Sequence, residues 1–248
     1  MDETISSNGL RLGAHFAHPP VARPVPGVVL CHGFPRGPRG AATSAATYSV
    51  LADRIARDVG WGALAFNLRG TGTSEGDFSV GGWLDDLRAA VGALAERADN
   101  TGVWIVGVSE GGALALCEAA DDDRVRGVAT LGAPISLGAW AREPTRLLAH
   151  ARRVGMVRTP GFPPDTGAWG SEAATLDAVA AARRLAPRPL LVLHGTDDES
   201  VGTDAARALY EAAGPTAQLR MVHAAGHRLR HDPRAVAVLL GWLERQRP

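Results

Sequence analysis

The sequence predicts an α/β fold, with a mainly parallel sheet of about eight strands flanked by helices. Apolar runs bounded by Gly, Pro and Asp alternate along the chain with segments of helical period, as expected when helices cover a parallel sheet. The chain has 248 residues, 46% of them apolar, which is enough to bury one substantial core. We therefore expect a single domain over residues 1–248.

The elements follow in order from the N-terminus. A hairpin is expected around Asn8-Gly9, because this dipeptide favours a tight turn between two strands. Six apolar runs beyond it predict strands, and segments with apolar residues three or four apart predict helices. The predicted strands are 27–32, 62–68, 103–108, 125–131, 190–194 and 218–223, and the predicted helices include 48–59, 83–97, 111–120, 204–213 and 233–245.

One segment, residues 136–187, interrupts this alternation. It is too long for a simple connection, and segments of such length are usually lids or functional insertions. Trp140, Phe162 and Trp169 lie in it, around a Pro-rich run at 159–165. We expect a small lid inserted into one domain. The three aromatic residues are candidates for lining a substrate pocket, with packing of the insertion itself as the alternative.

Charge and composition exclude several function classes. Lys plus Arg equals Asp plus Glu at 26 each, so no whole-molecule field attracts nucleic acid or an anionic membrane. Every basic residue is arginine, which excludes Schiff-base chemistry, lysine bases and the phosphate-loop lysine. We expect a small-molecule partner, neutral or of mixed charge; the composition does not indicate an oligomeric state.

The same survey predicts a cytoplasmic location. Cys31 and Cys117 both lie in apolar runs, which indicates buried thiols rather than a secreted disulfide framework. The first residues lack a basic start followed by an apolar core, and no stretch reaches the roughly 18 apolar residues of a membrane span.

Residues 107–111 (G-V-S-E-G) fit the pattern G-x-S-x-G, at the junction of a predicted strand and a predicted helix. A nucleophilic serine at such a junction stands on a sharp turn that accepts only small neighbours. The helix that follows offers free N–H groups to an oxyanion. The alternative is an ordinary glycine turn with Ser109 capping the helix.

Serine is a weak nucleophile at neutral pH and needs a histidine to accept its proton and a carboxylate to orient that histidine. Residues 194–198 (H-G-T-D-D) follow one predicted strand, and residues 225–227 (A-G-H) follow the next. The carboxyl ends of parallel strands share one edge of a sheet, so these loops can converge on Ser109.

With this order of Ser, Asp and His, the chain resembles the α/β-hydrolases. Residues 32–35 (H-G-F-P) are similar to the family's oxyanion loop, which implies oxyanion donors at the backbone N–H groups of Phe34 and Glu110. Residues 67–74 are similar to its structural R-G-x-G-x-S turn. Gly202 departs from the proline that many relatives carry there.

The resemblance also implies the roles: Ser109 as nucleophile, His227 as general base and Asp198 as the acid. Asp198 lies three residues after the glycine of its motif and three before Val201, as the family pattern requires, which leaves Asp197 as a turn carboxylate. The implied reaction is hydrolysis of a carboxylic ester with a small or medium acyl group, through an acyl-enzyme and without a cofactor. Thioester, amide or peptide, and carbon–carbon bond hydrolysis stay open, as does a ligand-binding protein on the same fold.

Other interpretations of the histidines carry less weight. His223, His227 and His231 are four residues apart, as metal ligands on a helix would be. Residues 219–222 predict a strand, however, and Gly226 breaks a helix, so the three would not share a face and no metal is expected. We expect loop-shaping roles for His32 and His194 and core packing for both cysteines. The role of the Glu110 side chain stays open.

Overall fold

The computed structural model describes residues 2–21, 23–35, 37 and 40–246. Within these residues one sheet has eight strands, in the order β1-β2-β4-β3-β5-β6-β7-β8. Strands β1 and β2 run antiparallel to their neighbours and the others are parallel, which confirms the predicted mainly parallel α/β sheet. The strands are β1 (Asp2–Ser7), β2 (Leu10–Ala17), β3 (Val25–Cys31), β4 (Gly62–Phe66), β5 (Asn100–Val108), β6 (Val125–Leu131), β7 (Leu190–Gly195) and β8 (Ala217–Val222).

Ten α-helices lie in the described part of the chain. They are α1 (Gly40–Thr43), α2 (Tyr48–Asp58), α3 (Val80–Ala95), α4 (Glu110–Asp121), α5 (Gly138–Arg142), α6 (Pro144–Arg153), α7 (Thr166–Ser171), α8 (Ala178–Leu185), α9 (Thr203–Ala213) and α10 (Pro233–Arg245). No helix among the residues described is both long and apolar enough to cross a membrane.

The predicted hairpin joins β1 to β2. Ser7 pairs with Leu10, so Asn8 and Gly9 form a two-residue turn. Both turn residues have positive φ, 48° and 81°. Asn and Gly adopt positive φ with little strain, and the twist of such a turn matches that of the two strands.

Apolar side chains fill both faces of the sheet. Helices α2 and α10 cover one face with residues such as Leu51 and Leu239. Helices α3, α4, α8 and α9 cover the other with residues such as Leu87 and Leu114. Strand β3 is buried along its whole length, as expected for a central strand with helices on both sides.

The parallel strands bring three loops to one edge of the sheet. Strand β5 ends at Val108, β7 at Gly195 and β8 at Val222. Each end is followed within a few residues by one member of the predicted triad. Polar groups converge at this edge because loops after parallel strands leave the sheet on the same side.

The predicted insertion is a chain excursion with paired ends. Ser136 and Asp177 form an isolated antiparallel bridge, and the Ala178 N–H donates to the Ile135 carbonyl at 2.9 Å. Helices α5, α6 and α7 lie between these ends. Helix α8, also within 136–187, instead packs against α4 and α9 beside the sheet.

Candidate active site

Ser109 stands on a strained turn between β5 and α4. Its φ of 53° and ψ of −126° are unusual for a residue other than glycine. A Cβ at Gly107 would come within 2.3 Å of the Gly111 carbonyl oxygen, so only glycine allows this approach of strand and helix. The sharp turn is what the G-x-S-x-G pattern predicts at this junction.

His227 connects Ser109 to Asp198. The His227 Nε2 lies 2.8 Å from the Ser109 Oγ, and its Nδ1 lies 2.8 Å from the Asp198 Oδ2. A carboxylate can only accept, so Nδ1 carries the proton and Nε2 is left to accept from the Ser109 hydroxyl. The structure therefore brings the three predicted residues into one chain of hydrogen bonds.

The Asp198 carboxylate is held by its own loop. Its side chain is fully buried, and Oδ1 accepts hydrogen bonds from the Ser200 and Val201 N–H groups at 2.9 and 3.0 Å. Burial alone would raise the pKa of Asp198, but the hydrogen bonds from His227, Val201 and Ser200 outweigh it and lower the pKa below its usual range. Asp198 therefore stays ionised at neutral pH.

Asp197 has a different environment. It is exposed, and its Oδ1 accepts from the Thr196 hydroxyl at 2.8 Å. The Thr196 hydroxyl oxygen in turn accepts from the Ala224 N–H at 2.8 Å, which ties this loop to the one that carries His227. This is the arrangement expected of a turn carboxylate.

The side chain of one predicted oxyanion residue, Glu110, contacts the backbone N–H of the other, Phe34. Glu110 is the first residue of α4, where backbone N–H groups have no partner within the helix. The Phe34 N–H, however, donates to the Glu110 side chain, with 2.9 Å between N and Oε2. Both residues are buried.

Aromatic rings surround Phe34. Its ring centroid lies 4.9 Å from that of Trp140, 5.1 Å from that of Phe78 and 5.4 Å from that of His150. Trp140 is half-buried. The sequence analysis missed Phe78 and His150, because neither belongs to a motif and only the fold brings them to Phe34.

The other two lid aromatics lie differently. Trp169 is buried, and its indole N–H donates to the Phe78 carbonyl at 2.9 Å. Phe162 packs partly buried against the core, and its carbonyl accepts from Arg152 at 3.0 Å. Of the three predicted pocket residues, Trp140 is the one whose ring contacts Phe34.

A cavity of about 470 Å³ lies on the lid beside this aromatic group, and Trp140 and His150 contribute to its lining. The remaining lining residues are Ala139, Glu143, Arg146, Leu147, Ala149 and Arg153. A larger cavity of about 660 Å³ lies along β2 and α1, and none of its lining residues belongs to the triad. The smaller cavity is not lined by triad residues either, but two of its lining residues, Trp140 and His150, contact the ring of Phe34, which makes it the better candidate for substrate.

The two other histidines and the two cysteines considered from the sequence make contacts that support the fold. The buried His32 donates from Nδ1 to the Gly33 carbonyl and accepts at Nε2 from the Leu68 N–H. His194 donates from Nε2 to the Val201 carbonyl, behind Asp198. Burial raises the pKa of the Cys117 thiol to about 11 and raises that of Cys31 as well, so both stay protonated. Among the residues that the structure describes, no three His, Cys, Asp or Glu side chains form a candidate metal site.

Comparison with known proteins identifies the family. A family model described as the alpha/beta hydrolase fold matches residues 26–153, which is more than half of the chain. The chain belongs to the α/β-hydrolase family. The predicted α/β-hydrolase fold is thereby confirmed, and family membership makes this protein a hydrolase. The curated protein sequences compared with it gave no match.

Solved structures similar to this α/β-hydrolase include two esterases. Est1E from Butyrivibrio proteoclasticus is 19% identical, with a TM-score of 0.74 over 98% of this chain and 96% of that one. The esterase domain of a Rhodothermus marinus protein is 24% identical, with a TM-score of 0.72 over 99% and 98% of the two chains. A meta-cleavage product hydrolase from Pseudomonas fluorescens is 21% identical, with a TM-score of 0.69 over 98% and 97%. At these identities the likeness shows the fold.

Proposed function

We propose that this α/β-hydrolase cleaves carboxylic esters with a small or medium acyl group, using Ser109, His227 and Asp198 as its triad. The observation that carries the proposal is the chain of hydrogen bonds from Ser109 through His227 to Asp198, 2.8 Å at each step. Esterases are among the structurally similar proteins, which favours an ester over the other acyl substrates.

The reaction follows from the positions of the protons. The Ser109 Oγ attacks the ester carbonyl carbon while the His227 Nε2 takes the hydroxyl proton, and the negative charge of Asp198 stabilises the imidazolium. The tetrahedral oxyanion accepts hydrogen bonds from the Phe34 and Glu110 N–H groups. His227 then gives its proton to the leaving alcohol. In the second half of the reaction His227 takes a proton from water, whose oxygen attacks the acyl carbon. The proton then passes to the Ser109 Oγ as the carboxylic acid leaves.

The lid supplies the candidate substrate pocket. Trp140 contacts the ring of Phe34 and also lines the cavity of about 470 Å³. An acyl or alcohol group in this cavity would contact Trp140 and His150, whose rings contact that of Phe34. The single domain with a lid at about 136–187, and the cytoplasmic location, stay predictions.

Ser109→Ala tests the proposal. Removal of the nucleophile should lower turnover of 4-nitrophenyl esters by roughly four to six orders of magnitude, because only binding and oxyanion contacts are left. A fluorophosphonate probe should add its mass to the wild-type peptide that contains Ser109. Ser49→Ala, at a serine whose hydroxyl donates to the Ala46 carbonyl, is the matched control and should keep both properties.

A variant that kept more than a tenth of wild-type turnover would exclude Ser109 as the nucleophile. Wild-type protein that is folded but neither labelled nor active would indicate a ligand-binding protein on this fold. A panel of ester, thioester, amide and carbon–carbon substrates then assigns the bond that is cleaved.

A further inference from the structure

The Glu110 carboxylate occupies one of the two proposed oxyanion donors. The Phe34 N–H points at Glu110 Oε2, with 2.9 Å between N and O. A backbone N–H makes one strong hydrogen bond, and a bond to a carboxylate is stronger than a bond to a neutral oxygen. While this contact exists, Phe34 cannot donate to a substrate.

The carboxylate also fits closely under the oxyanion loop. A Cβ at Gly33 would come within 2.7 Å of Glu110 Oε2, 2.8 Å of the Val108 carbonyl oxygen and 2.9 Å of the Ser109 Cβ. A side chain at position 33 would therefore clash with the Val108 backbone, and it would also approach the Glu110 carboxylate and the Ser109 Cβ. The carboxylate therefore lies close to both the oxyanion loop and the nucleophile, and the nearby Val108 carbonyl oxygen requires glycine at position 33.

From these contacts we infer that the Glu110 side chain occludes the oxyanion hole of the empty enzyme and must leave Phe34 in each turnover. This inference rests on the proposed function, because it assigns Phe34 as an oxyanion donor. Glu110 acts as a positioning residue: it satisfies a buried N–H and holds residues 33–34 against α4 until substrate binds.

The occlusion affects acceptors of different charge unequally. The carbonyl oxygen of an ester is neutral and competes weakly with a carboxylate for the Phe34 N–H. The oxyanion of the tetrahedral intermediate is a far stronger acceptor, but it must then displace a group of its own charge. Removal of the negative charge from residue 110, with its shape kept, should therefore favour the intermediate.

Glu110→Gln makes this change. The variant should bind phenylboronic acid about tenfold more tightly than the wild type. The boron of phenylboronic acid bonds the Ser109 Oγ while the hydroxyl proton passes to the His227 Nε2, which gives a tetrahedral anion. For 4-nitrophenyl butyrate, kcat/KM should rise by a similar factor. Glu110→Ala, which removes the carboxylate altogether, should also tighten boronate binding, and it serves if the Gln variant does not fold.

Glu118→Gln is the matched control. Glu118 is a buried glutamate of the same helix and forms an ion pair with Arg88 at 3.2 Å. Its substitution should leave the boronate inhibition constant within twofold of the wild-type value, at equal folded fraction.

The inference is overturned if boronate binding in both Glu110 variants is unchanged or weaker. Unchanged binding would mean that the carboxylate does not compete, and weaker binding would mean that Glu110 only supports the loop. Failure of the proposed function is separate, because in that case the wild type itself is neither labelled by fluorophosphonate nor inhibited by the boronic acid.

Discussion

The two oxygens of the Asp198 carboxylate have separate tasks. Oδ2 accepts from the His227 Nδ1, and Oδ1 accepts from the Ser200 and Val201 N–H groups. The two hydrogen bonds to Oδ1 fix the orientation of the carboxylate and so direct Oδ2 at His227. An asparagine at 198 can keep Oδ1 on the two N–H groups, but its NH2 then faces His227.

Asp198→Asn should therefore keep the fold and lose activity. The NH2 group forces the His227 Nδ1 to accept, which moves the proton to Nε2 and leaves no acceptor for the Ser109 hydroxyl. We expect a loss on the order of a thousandfold or more in kcat. Asp197→Asn should cost far less, because the Asp197 carboxylate bonds only Thr196 among the contacts described. The two variants are compared at equal folded fraction, and a larger loss in Asp197→Asn would move the acid by one residue.

At the scale of the element, two lid tryptophans have different contacts and should give different phenotypes. Trp140→Ala removes a half-buried ring next to Phe34 and the lid cavity. It should change the relative rates on a series of 4-nitrophenyl esters of increasing chain length, with fluorophosphonate labelling of Ser109 retained.

Trp169→Ala removes a buried ring and its hydrogen bond to Phe78. The free energy of unfolding should fall by about 3 kcal/mol or more, with the order of ester preference unchanged. Urea unfolding of both variants, beside the same ester series, separates the two effects. Equal selectivity changes in both would contradict this assignment.

Local signals in the sequence predict some elements well and others poorly. The predicted ends of β6 and α10 match the structure, since Asp232 caps α10 and Pro233 begins it. Helix α3 starts at Val80 rather than 83, because Gly81 and Gly82 are poor helix formers and hide the first turn. The short helices α5 and α7 have too few residues to show a period.

In the candidate site too, local motifs can be recognised from the sequence and tertiary contacts cannot. The sequence indicates that the three residues of the proposed triad converge, because each follows a strand in a recognisable motif. The contact of Glu110 with Phe34 could not be predicted, because it joins residues 76 positions apart and depends on how β3 and α4 approach each other. The sequence indicates which backbone N–H groups are candidate oxyanion donors. The direction of the Glu110 side chain depends on the tertiary fold.

For the whole molecule, the buried His32 predicts sensitivity to acid. Burial lowers the pKa of His32 to about 4, and the Gly33 carbonyl only partly offsets this. An unfolded histidine binds a proton near pH 6.5, so between pH 6.5 and 4 the unfolded chain binds more protons than the folded one. Stability therefore falls as the pH is lowered through this range, by roughly 2 to 3 kcal/mol from this group between pH 7.5 and 4.5.

Urea unfolding at pH 7.5 and 4.5 measures this loss. His32→Asn should make the difference between the two pH values smaller by roughly 2 kcal/mol. A His32 ring that titrates near its ordinary value in an NMR experiment would contradict the prediction.

The bridge between Ser136 and Asp177 holds together the two ends of the segment between them. The chain leaves the sheet region and returns to it at neighbouring points, so the pairing of the strands does not depend on the length of the segment between these points. The entropy of closing a flexible loop grows only with the logarithm of its length, and each doubling costs about 0.6 kcal/mol. Extra residues in the exposed turn at 158–161 should therefore disturb the sheet little, whereas the buried side chains that anchor the segment, such as Trp169, have to be kept.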